Sequence, residues 1–370
     1  MSHHTPPPEA PVVNPRPYKI ILGLSALCFA AFTVTILAVG PTPAGILLVA
    51  TFILLAIGFR GFPNLRGYSY TVSIFASVSA AMFYPEYFQA IGDFKLSSLI
   101  TPLLQVIMFG MGTAMSVQDF VGVVKMPKGV FVGTLNHFTI MPLLGFTLAS
   151  IFKFPPEIAA GVILIGCSPC GMASNVISYL AKANLALSIT LTTVSTFLAP
   201  LLTPLLMKLF AGQFIEIDVM KMMWDITKIV IIPVGAGLLF NKLFRGKAKW
   251  LDDAMPLVSM MGIGFIILII TAAGRNSLLE IGILLILSSL IHNTMGYLLG
   301  YWSARLFRMN EQDSRTVAIE VGMQNAGLAS GIAKEIGKMA TVGLAPAIFG
   351  PLMNVTGSLL ASWWHRKPVQ

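Results

Sequence analysis

The chain has 370 residues, of which 56% are hydrophobic and 11% are charged, and its mean hydropathy is +0.81. A typical soluble domain has about 25% charged residues, so this composition excludes a soluble fold. The formal net charge is +9, but Lys and Arg lie between apolar runs instead of on one solvated surface, which excludes a nucleic-acid-binding protein.

The N-terminal part of the chain has two sections. Residues 1–18 are polar and proline-rich, which predicts a short disordered cytoplasmic tail and neither a signal peptide nor a transit peptide. Residues 19–60 contain two apolar runs and predict an extra transmembrane hairpin, with a role in membrane anchoring or in dimer contacts.

Apolar runs long enough to cross the bilayer, bounded by Gly, Pro and charged residues, fill the chain. These twelve runs cover about 19–40, 43–59, 69–89, 98–117, 129–151, 157–181, 184–210, 224–244, 254–273, 279–304, 314–333 and 339–364. They predict an all-α polytopic membrane protein embedded in the lipid bilayer. Placing the N-terminus inside puts two thirds of the 24 Lys and Arg residues on the cytoplasmic side. This predicts a multi-pass protein of the cell (inner) membrane with both termini in the cytoplasm.

An internal repeat appears at a shift of 155 residues. His137–Gly145 reads HFTIMPLLG and His292–Gly300 reads HNTMGYLLG, so five of nine positions match. Five predicted crossings separate the copies, and an odd number makes the second copy run inverted through the membrane. Inverted repeats are typical of secondary transporters, whose substrate site lies at the repeat interface.

Each copy of the repeat contains an interrupted helix. In the first copy, 157–181 is broken at Cys167–Asn175 (CSPCGMASN), where Pro169 removes a backbone donor. In the second copy, 314–333 is broken at Glu320–Gly327 (EVGMQNAG). A broken helix leaves backbone polar groups at membrane depth, which is tolerated where they line a cavity or bind a ligand.

Glu320 is an ionisable side chain in the middle of an apolar run. Carboxylates inside a membrane are energetically expensive and by default mark an ion or substrate pathway, although a neutral Glu that bonds a neighbouring helix is the alternative. Gln324 and Asn325 in the same break favour the functional interpretation.

A hydroxyl face follows the first break. Ser188 and Thr192 are spaced at i and i+4, with Ser195 one turn further. Such faces often only bond helix to helix, but Ser174 and Asn175 lie at the break itself. Together with Glu320 these groups offer the neutral oxygens and the carboxylate that a hard monovalent cation such as Na⁺ requires.

The motifs EVGMQN at 320–325 and Ser174-Asn175, with the stretch 186–188, resemble the bile acid:sodium symporter family over about residues 69–365. The resemblance implies inverted five-helix repeats at 69–211 and 224–365, divided into a panel and a core domain, with two broken helices that cross. It also implies sodium-coupled symport of an organic anion, such as a bile acid, pantoate or a keto acid, by alternating access.

The resemblance implies two sodium sites and no other metal or cofactor. The first site would use Ser174, Asn175, Ser188, Thr192 and Glu320. The second would use Glu320, Gln324, the backbone carbonyls of Val321 and Met323, and the residue at position 137. The residues that it places near substrate are Met172, Ser174 and Asn325.

Three positions depart from the family. Cys170 stands in the first break where the family commonly has a glycine. His137 stands where the family has a glutamine, and imidazole nitrogen is a poorer partner for Na⁺ than an amide oxygen. We therefore expect sodium coupling to be weaker or more pH-sensitive than in a glutamine-bearing relative. Met172 replaces a threonine, which makes the expected substrate pocket less polar.

Other functions remain open as alternatives. Pro169-Cys170 resembles the corresponding segment of arsenite exporters, so a metalloid exporter or a proton-coupled anion transporter is the main alternative. The spacing of Cys167 and Cys170 also fits a zinc or redox motif, but further zinc ligands and a βαβ context are missing from the sequence. A channel or a receptor would not need two broken helices with a carboxylate. No nucleotide motif is present, and the chain is predicted not to be an enzyme.

Overall fold

The computed structural model of the chain describes residues 15–62, 65–244 and 249–368. Two compact units are present, one ending at Ser79 and one beginning at Ala80. Most of the predicted tail, residues 1–14, lies outside the described residues. Residues 15–18 are helical, so the predicted limits of the tail and of the hairpin are wrong at this end. The helix extends back to Pro15, and proline suits the first turn of a helix because it has no amide proton to leave unpaired.

The first unit contains a helical hairpin. Helix α1 is Pro15–Ala38 and helix α2 is Pro41–Phe59, and Gly40 between them has a φ of 115°, which favours glycine. The Ser25 hydroxyl donates to the Thr51 carbonyl at 2.9 Å across the hairpin. The two helices therefore pack through close contacts between small polar groups, as membrane helices commonly do.

Helix α3 is Ser69–Phe83, and the second unit then holds a short antiparallel hairpin of β1 (Ala90–Ile91) and β2 (Phe94–Lys95). The remaining helices are α4 Ile100–Ala114, α5 Val117–Lys125, α6 Pro127–Phe152, α7 Pro156–Cys167, α8 Ala173–Leu180, α9 Leu185–Ala211, α10 Val219–Ile226, α11 Ile232–Phe244, α12 Lys249–Ala273, α13 Arg275–Leu306, α14 Glu311–Gly322, α15 Ala326–Glu335 and α16 Leu344–His365.

Nine helices in the described residues are long and apolar enough to cross a membrane. The other three predicted runs correspond to α3 and to the pairs α7–α8 and α14–α15, each of which is shorter or interrupted. The prediction of an all-α polytopic membrane protein is confirmed.

Several predicted limits are corrected by local chemistry. The run at 69–89 stops as a helix at Phe83 because Pro85 follows. The second repeat is predicted to begin at 224, but α10 begins at Val219, where the Asp218 side chain accepts the Lys221 amide as a cap. The run 224–244 is also not uniform, since a π-helical turn at Thr227–Ile231 separates α10 from α11.

The helices of the second unit pack in two groups. Helices α11 and α12 both pack against α4, and α6, α7, α9, α13, α14 and α16 form the larger group. Helices α4 and α11 approach closely because Gly112 faces the backbone of Val234 and Gly237 faces the backbone of Phe109, where a Cβ would overlap. The division of these helices into a panel and a core domain stays a prediction.

A buried arginine side chain joins several helices of the second unit at one end. Arg315, near the start of α14, is 1% exposed, and its Nε donates to Glu311 at 2.8 Å. Its other nitrogens donate at 3.2 Å to the carbonyls of Ala181, Trp364 and Pro368. One side chain thus satisfies carbonyls at the C-terminal ends of α8 and α16, where a positive charge is favourable.

Candidate functional site

The two helix breaks meet and satisfy each other's backbone. The amide of Gly171 donates to the carbonyl of Met323 at 3.0 Å, and the amide of Asn325 donates to the carbonyl of Pro169 at 2.8 Å. Cys170 and Gln324 form an isolated antiparallel bridge between the two segments. The breaks therefore pair as a short two-stranded contact, which solves the problem of unpaired polar backbone inside the membrane.

Glu320 lies one turn before this contact, at the end of α14, and its side chain is fully buried. The Ser188 hydroxyl lies 2.5 Å from Glu320 Oε1, and the Thr192 hydroxyl lies 2.9 Å from Oε2. Since Ser188 and Thr192 are one turn apart on α9, both reach the same carboxyl group. Helices α9 and α14 are thereby joined by a polar cluster at membrane depth.

Helix α8 supplies the other oxygens of this cluster. Asn175 Oδ1 lies 2.9 Å from the Ser188 hydroxyl and 3.3 Å from the Thr192 hydroxyl. The Ser174 hydroxyl, which is also fully buried, lies 3.4 Å from that of Thr192. The structure thus brings together all five residues predicted for the first sodium site.

The cluster has more acceptor capacity than protons. Three hydroxyl groups, from Ser174, Ser188 and Thr192, provide one proton each, whereas an ionised Glu320 and the amide oxygen of Asn175 are pure acceptors with two lone pairs on each oxygen. Lone pairs therefore remain uncompensated in a buried place. A hard cation bound among these oxygens would satisfy them, so the donor set fits Na⁺.

The residues predicted for a second sodium site lie together but bond to one another. Gln324 Nε2 donates to the Val321 carbonyl at 2.7 Å, and the Met323 carbonyl accepts the Gly171 amide. His137 Nδ1 lies 3.0 Å from the Glu320 carbonyl oxygen, and Nε2 lies 2.8 Å from that of Ser168. Gln324 Oε1 is buried without a hydrogen-bond partner in the described part of the chain.

A cavity of about 200 Å³ opens beside the first cluster. Asn175 and Thr192 line it, together with Met172, which is 39% exposed, and with Met111 and Met115 at the end of α4. Of the three residues predicted near substrate, Met172 lies in this cavity, whereas Ser174 is fully buried behind it. Asn325 is not among the lining residues.

The Asn325 side chain has a local role. Its Oδ1 accepts the Leu328 amide at 2.9 Å and so caps the N-terminus of α15. Helix α8, by contrast, begins at Ala173, and its N-cap residue Met172 makes no side-chain cap hydrogen bond. The two half-helices that follow the breaks therefore differ at their N-termini.

Some residues at the site were missed in the sequence. Asp119 and Thr193 line the same cavity, and Asn293 Nδ2 donates to the Gly322 carbonyl at 2.8 Å, where α14 ends. Asn293 follows His292 in the second repeat copy, so its place in the repeat was a signal for a role at this break. Asp119 carries no such signal, because it stands in a polar segment between two apolar runs.

The cysteines of the first break are both buried and free. Cys170 Sγ lies 3.3 Å from His137 Nδ1, and the Cys170 amide donates to the Ser195 hydroxyl at 3.2 Å. Among the described residues, no group of three or more His, Cys, Asp or Glu side chains is arranged to hold a metal ion. The oxygen cluster around Glu320 is therefore the strongest ion-binding candidate.

Known proteins with similar sequences are sodium-dependent transporters by name. The sodium bile acid symporter family model matches residues 101–281. The uncharacterized sodium-dependent transporter YocS of Bacillus subtilis is 42% identical over 273 residues, which cover 74% of this chain and 84% of YocS. These proteins are named as transporters, in agreement with the prediction that the chain is not an enzyme.

Two eukaryotic relatives are also similar. The ileal sodium/bile acid cotransporter of Oryctolagus cuniculus is 35% identical over 251 residues, 66% of this chain and 72% of the cotransporter. The probable sodium/metabolite cotransporter BASS1 of Oryza sativa is 34% identical over 275 residues, 73% of this chain and 68% of that protein. The chain belongs to the sodium bile acid symporter family.

Proposed function

We propose that this protein is a sodium-coupled symporter that moves an organic anion across the cell membrane by alternating access. The observation that carries the proposal is the convergence of Glu320 with Ser188, Thr192 and Asn175 from three different helices. A buried carboxylate surrounded by neutral oxygens is costly unless a cation occupies the cluster. Sodium binding there would join α8, α9 and α14 and so favour one arrangement of the core.

The proposed first sodium site consists of Ser174, Asn175, Ser188, Thr192 and Glu320. The relatives' names refer to sodium-dependent transport, which supports Na⁺ as the coupling ion. The inverted repeat and the crossing of the two breaks support transport over simple binding, because this build is typical of secondary transporters.

The proposed substrate is an organic anion with an apolar body. Helix α8 has no side-chain cap, and the positive end of its dipole lies beside Met172, which suits a carboxylate. Met111, Met115 and Met172 give the cavity an apolar, adaptable lining. Its volume of about 200 Å³ lies below that of sites for drug-sized ligands, which favours a small acid such as pantoate or a keto acid over a bile acid.

The proposed orientation has both termini in the cytoplasm, from the distribution of Lys and Arg. In that orientation the cavity beside Met172 opens to the cytoplasm. A sodium ion and an anion that enter from outside would leave through it.

Uptake into proteoliposomes containing the purified full chain tests the anion proposal. Under an inward sodium gradient, pantoate or a keto acid should accumulate, whereas the matching neutral amide should not, because the positive end of α8 favours a negative charge. Replacing Na⁺ with K⁺ on both sides is the control. Equal uptake of the acid and its amide would contradict the proposed substrate class.

A further inference from the structure

The region where a second cation would bind is already filled by contacts within the protein. Its candidate ligands are His137, Gln324 and the backbone carbonyls of Val321 and Met323, next to Glu320. Each of these groups is fully or almost fully buried. What decides whether a second ion binds is how many oxygen lone pairs remain available to it.

His137 offers no suitable ligand atom. Its two ring nitrogens face the carbonyl oxygens of Glu320 and Ser168 at 3.0 and 2.8 Å. At least one nitrogen must carry a proton and donate it, so the ring keeps at most one lone pair, and that lone pair lies against a carbonyl oxygen. A hard cation prefers oxygen ligands, which the imidazole cannot supply.

Two of the remaining candidate oxygens already accept a hydrogen bond, which leaves each of them one lone pair. The Val321 carbonyl accepts the Gln324 side-chain amide at 2.7 Å, and the Met323 carbonyl accepts the Gly171 amide at 3.0 Å. Gln324 Oε1 remains without a partner. One free amide oxygen and two carbonyl oxygens that each keep one lone pair, none of them charged, fall short of the several oxygens that a hard cation requires when it leaves water.

The first cluster differs in this respect. It presents both oxygens of the Glu320 carboxyl group, the amide oxygen of Asn175 and three hydroxyl groups. Each of these oxygens lies within 3.4 Å of at least one other. Its lone pairs outnumber its protons. The two regions share Glu320, but both of its carboxyl oxygens contact hydroxyl groups of the first cluster.

From these contacts we propose that the protein binds one sodium ion rather than two, and that the His137 ring occupies the place of the second ion. The inference rests on the proposed function and specifies its stoichiometry. One Na⁺ neutralises the one carboxylate of the site. Cotransport of one Na⁺ with one singly charged anion would then carry no net charge across the membrane.

Equilibrium binding of radioactive Na⁺ to the purified full chain in detergent, without substrate, tests this directly. We expect saturation at one ion per chain for the unmodified protein, with a Hill coefficient close to one. The His137→Gln variant, which replaces the ring with an amide that has its own oxygen, should approach two ions per chain. The Glu320→Gln variant should bind none.

Each binding result that differs from these expectations contradicts a different part of the account. Two ions bound by the unmodified protein would overturn the inference and leave the proposed function intact. One ion bound by both the unmodified protein and His137→Gln would overturn the role of the ring. An absence of specific sodium binding in the unmodified protein would contradict the proposed function itself, and the inference with it.

Transport measurements give an independent readout that needs no variant. In proteoliposomes with an inward sodium gradient, uptake of a monocarboxylate should proceed at the same rate with and without an imposed membrane potential. A rate that rises with an inside-negative potential would show net positive charge movement and overturn the single-sodium stoichiometry.

Discussion

The chemistry of the site depends on a few side chains that make unequal contributions. Glu320 provides the charge, Ser188 and Thr192 contact its two oxygens, and Asn175 adds an amide oxygen that accepts from both hydroxyls. Because the cluster is buried, bulk water cannot readily replace an oxygen that a substitution removes. Each oxygen should therefore affect sodium affinity measurably.

Thr192→Val offers a nearly isosteric test of one ligand. We expect sodium affinity to fall about tenfold or more, since hydrogen bonds and contacts to charged groups contribute about 1.5–3 kcal/mol and 1.4 kcal/mol corresponds to a factor of ten. The measurement is sodium binding to the purified variant by isothermal titration.

Thr193→Val is the matched control, because Thr193 is equally buried but its hydroxyl donates to the Ile189 carbonyl of its own helix. Its sodium affinity should stay near that of the unmodified protein. Equal losses in the two variants would mean that Thr192 acts through packing of α9 and not through the ion.

The residues of the first cluster could be predicted from the sequence. Glu320 stands out as an ionisable residue in an apolar run, and the i, i+4 spacing of Ser188 and Thr192 is visible without a structure. The contacts of His137 could not be predicted, because its carbonyl partners Ser168 and Glu320 belong to elements that are distant in sequence. Their approach depends on how the two breaks pack.

Among the helices and their breaks, the central feature is the pairing of the interrupted segments. Their positions followed from Pro169 and from the polar residues after Glu320, but their mutual hydrogen bonds did not. The sequence indicated unsatisfied backbone groups that would line a cavity. In the structure, part of that backbone is satisfied by the opposite break, through the bonds of Gly171 and Asn325.

The close approach of the breaks makes Gly171 intolerant of a side chain. A Cβ at this position would overlap the backbone carbonyl of Gln324, which cannot move without disturbing the bridge. Overpacking of this kind costs about 1–3 kcal/mol. We therefore expect Gly171→Ala to lower the thermal unfolding temperature in detergent and to weaken sodium binding.

Gly327→Ala is a suitable control from the other break. Its Cβ would meet ordinary van der Waals contacts, including Leu104, and no backbone atom at close range. The unfolding temperature of this variant should match that of the unmodified protein. If Gly171→Ala were equally neutral, the tight pairing of the breaks would be wrong.

At the level of the whole molecule, the inverted repeat explains the arrangement of the core. The triplet α6, α7–α8 and α9 corresponds to α13, α14–α15 and α16, and the repeated histidines lie on equivalent helices. His137 bonds to the opposite break, whereas His292 Nε2 bonds to the Met141 carbonyl of α6 at 2.9 Å. The repeat thus persists in the fold while the two histidines have diverged in their contacts.

Fold class and the order of crossings followed from hydropathy and from the repeat, because membrane helices are long and uniformly apolar. Exact ends did not follow, since caps such as Asp218 and breakers such as Pro85 act over one turn. The position of α5 and of the cavity beside Met172 required the packed structure, because packing between distant helices creates them.

The central claim is that Glu320 forms the sodium site, and thermal unfolding of purified variants with and without Na⁺ tests it most directly. The unmodified protein should be stabilised by Na⁺ over K⁺, by about 2.7 kcal/mol when sodium is present at 100 times its dissociation constant. Glu216→Gln, which removes an exposed carboxylate far from the cluster along the chain, should behave in the same way. Glu320→Gln should fold and show no stabilisation by Na⁺. Full sodium stabilisation of Glu320→Gln would contradict the account.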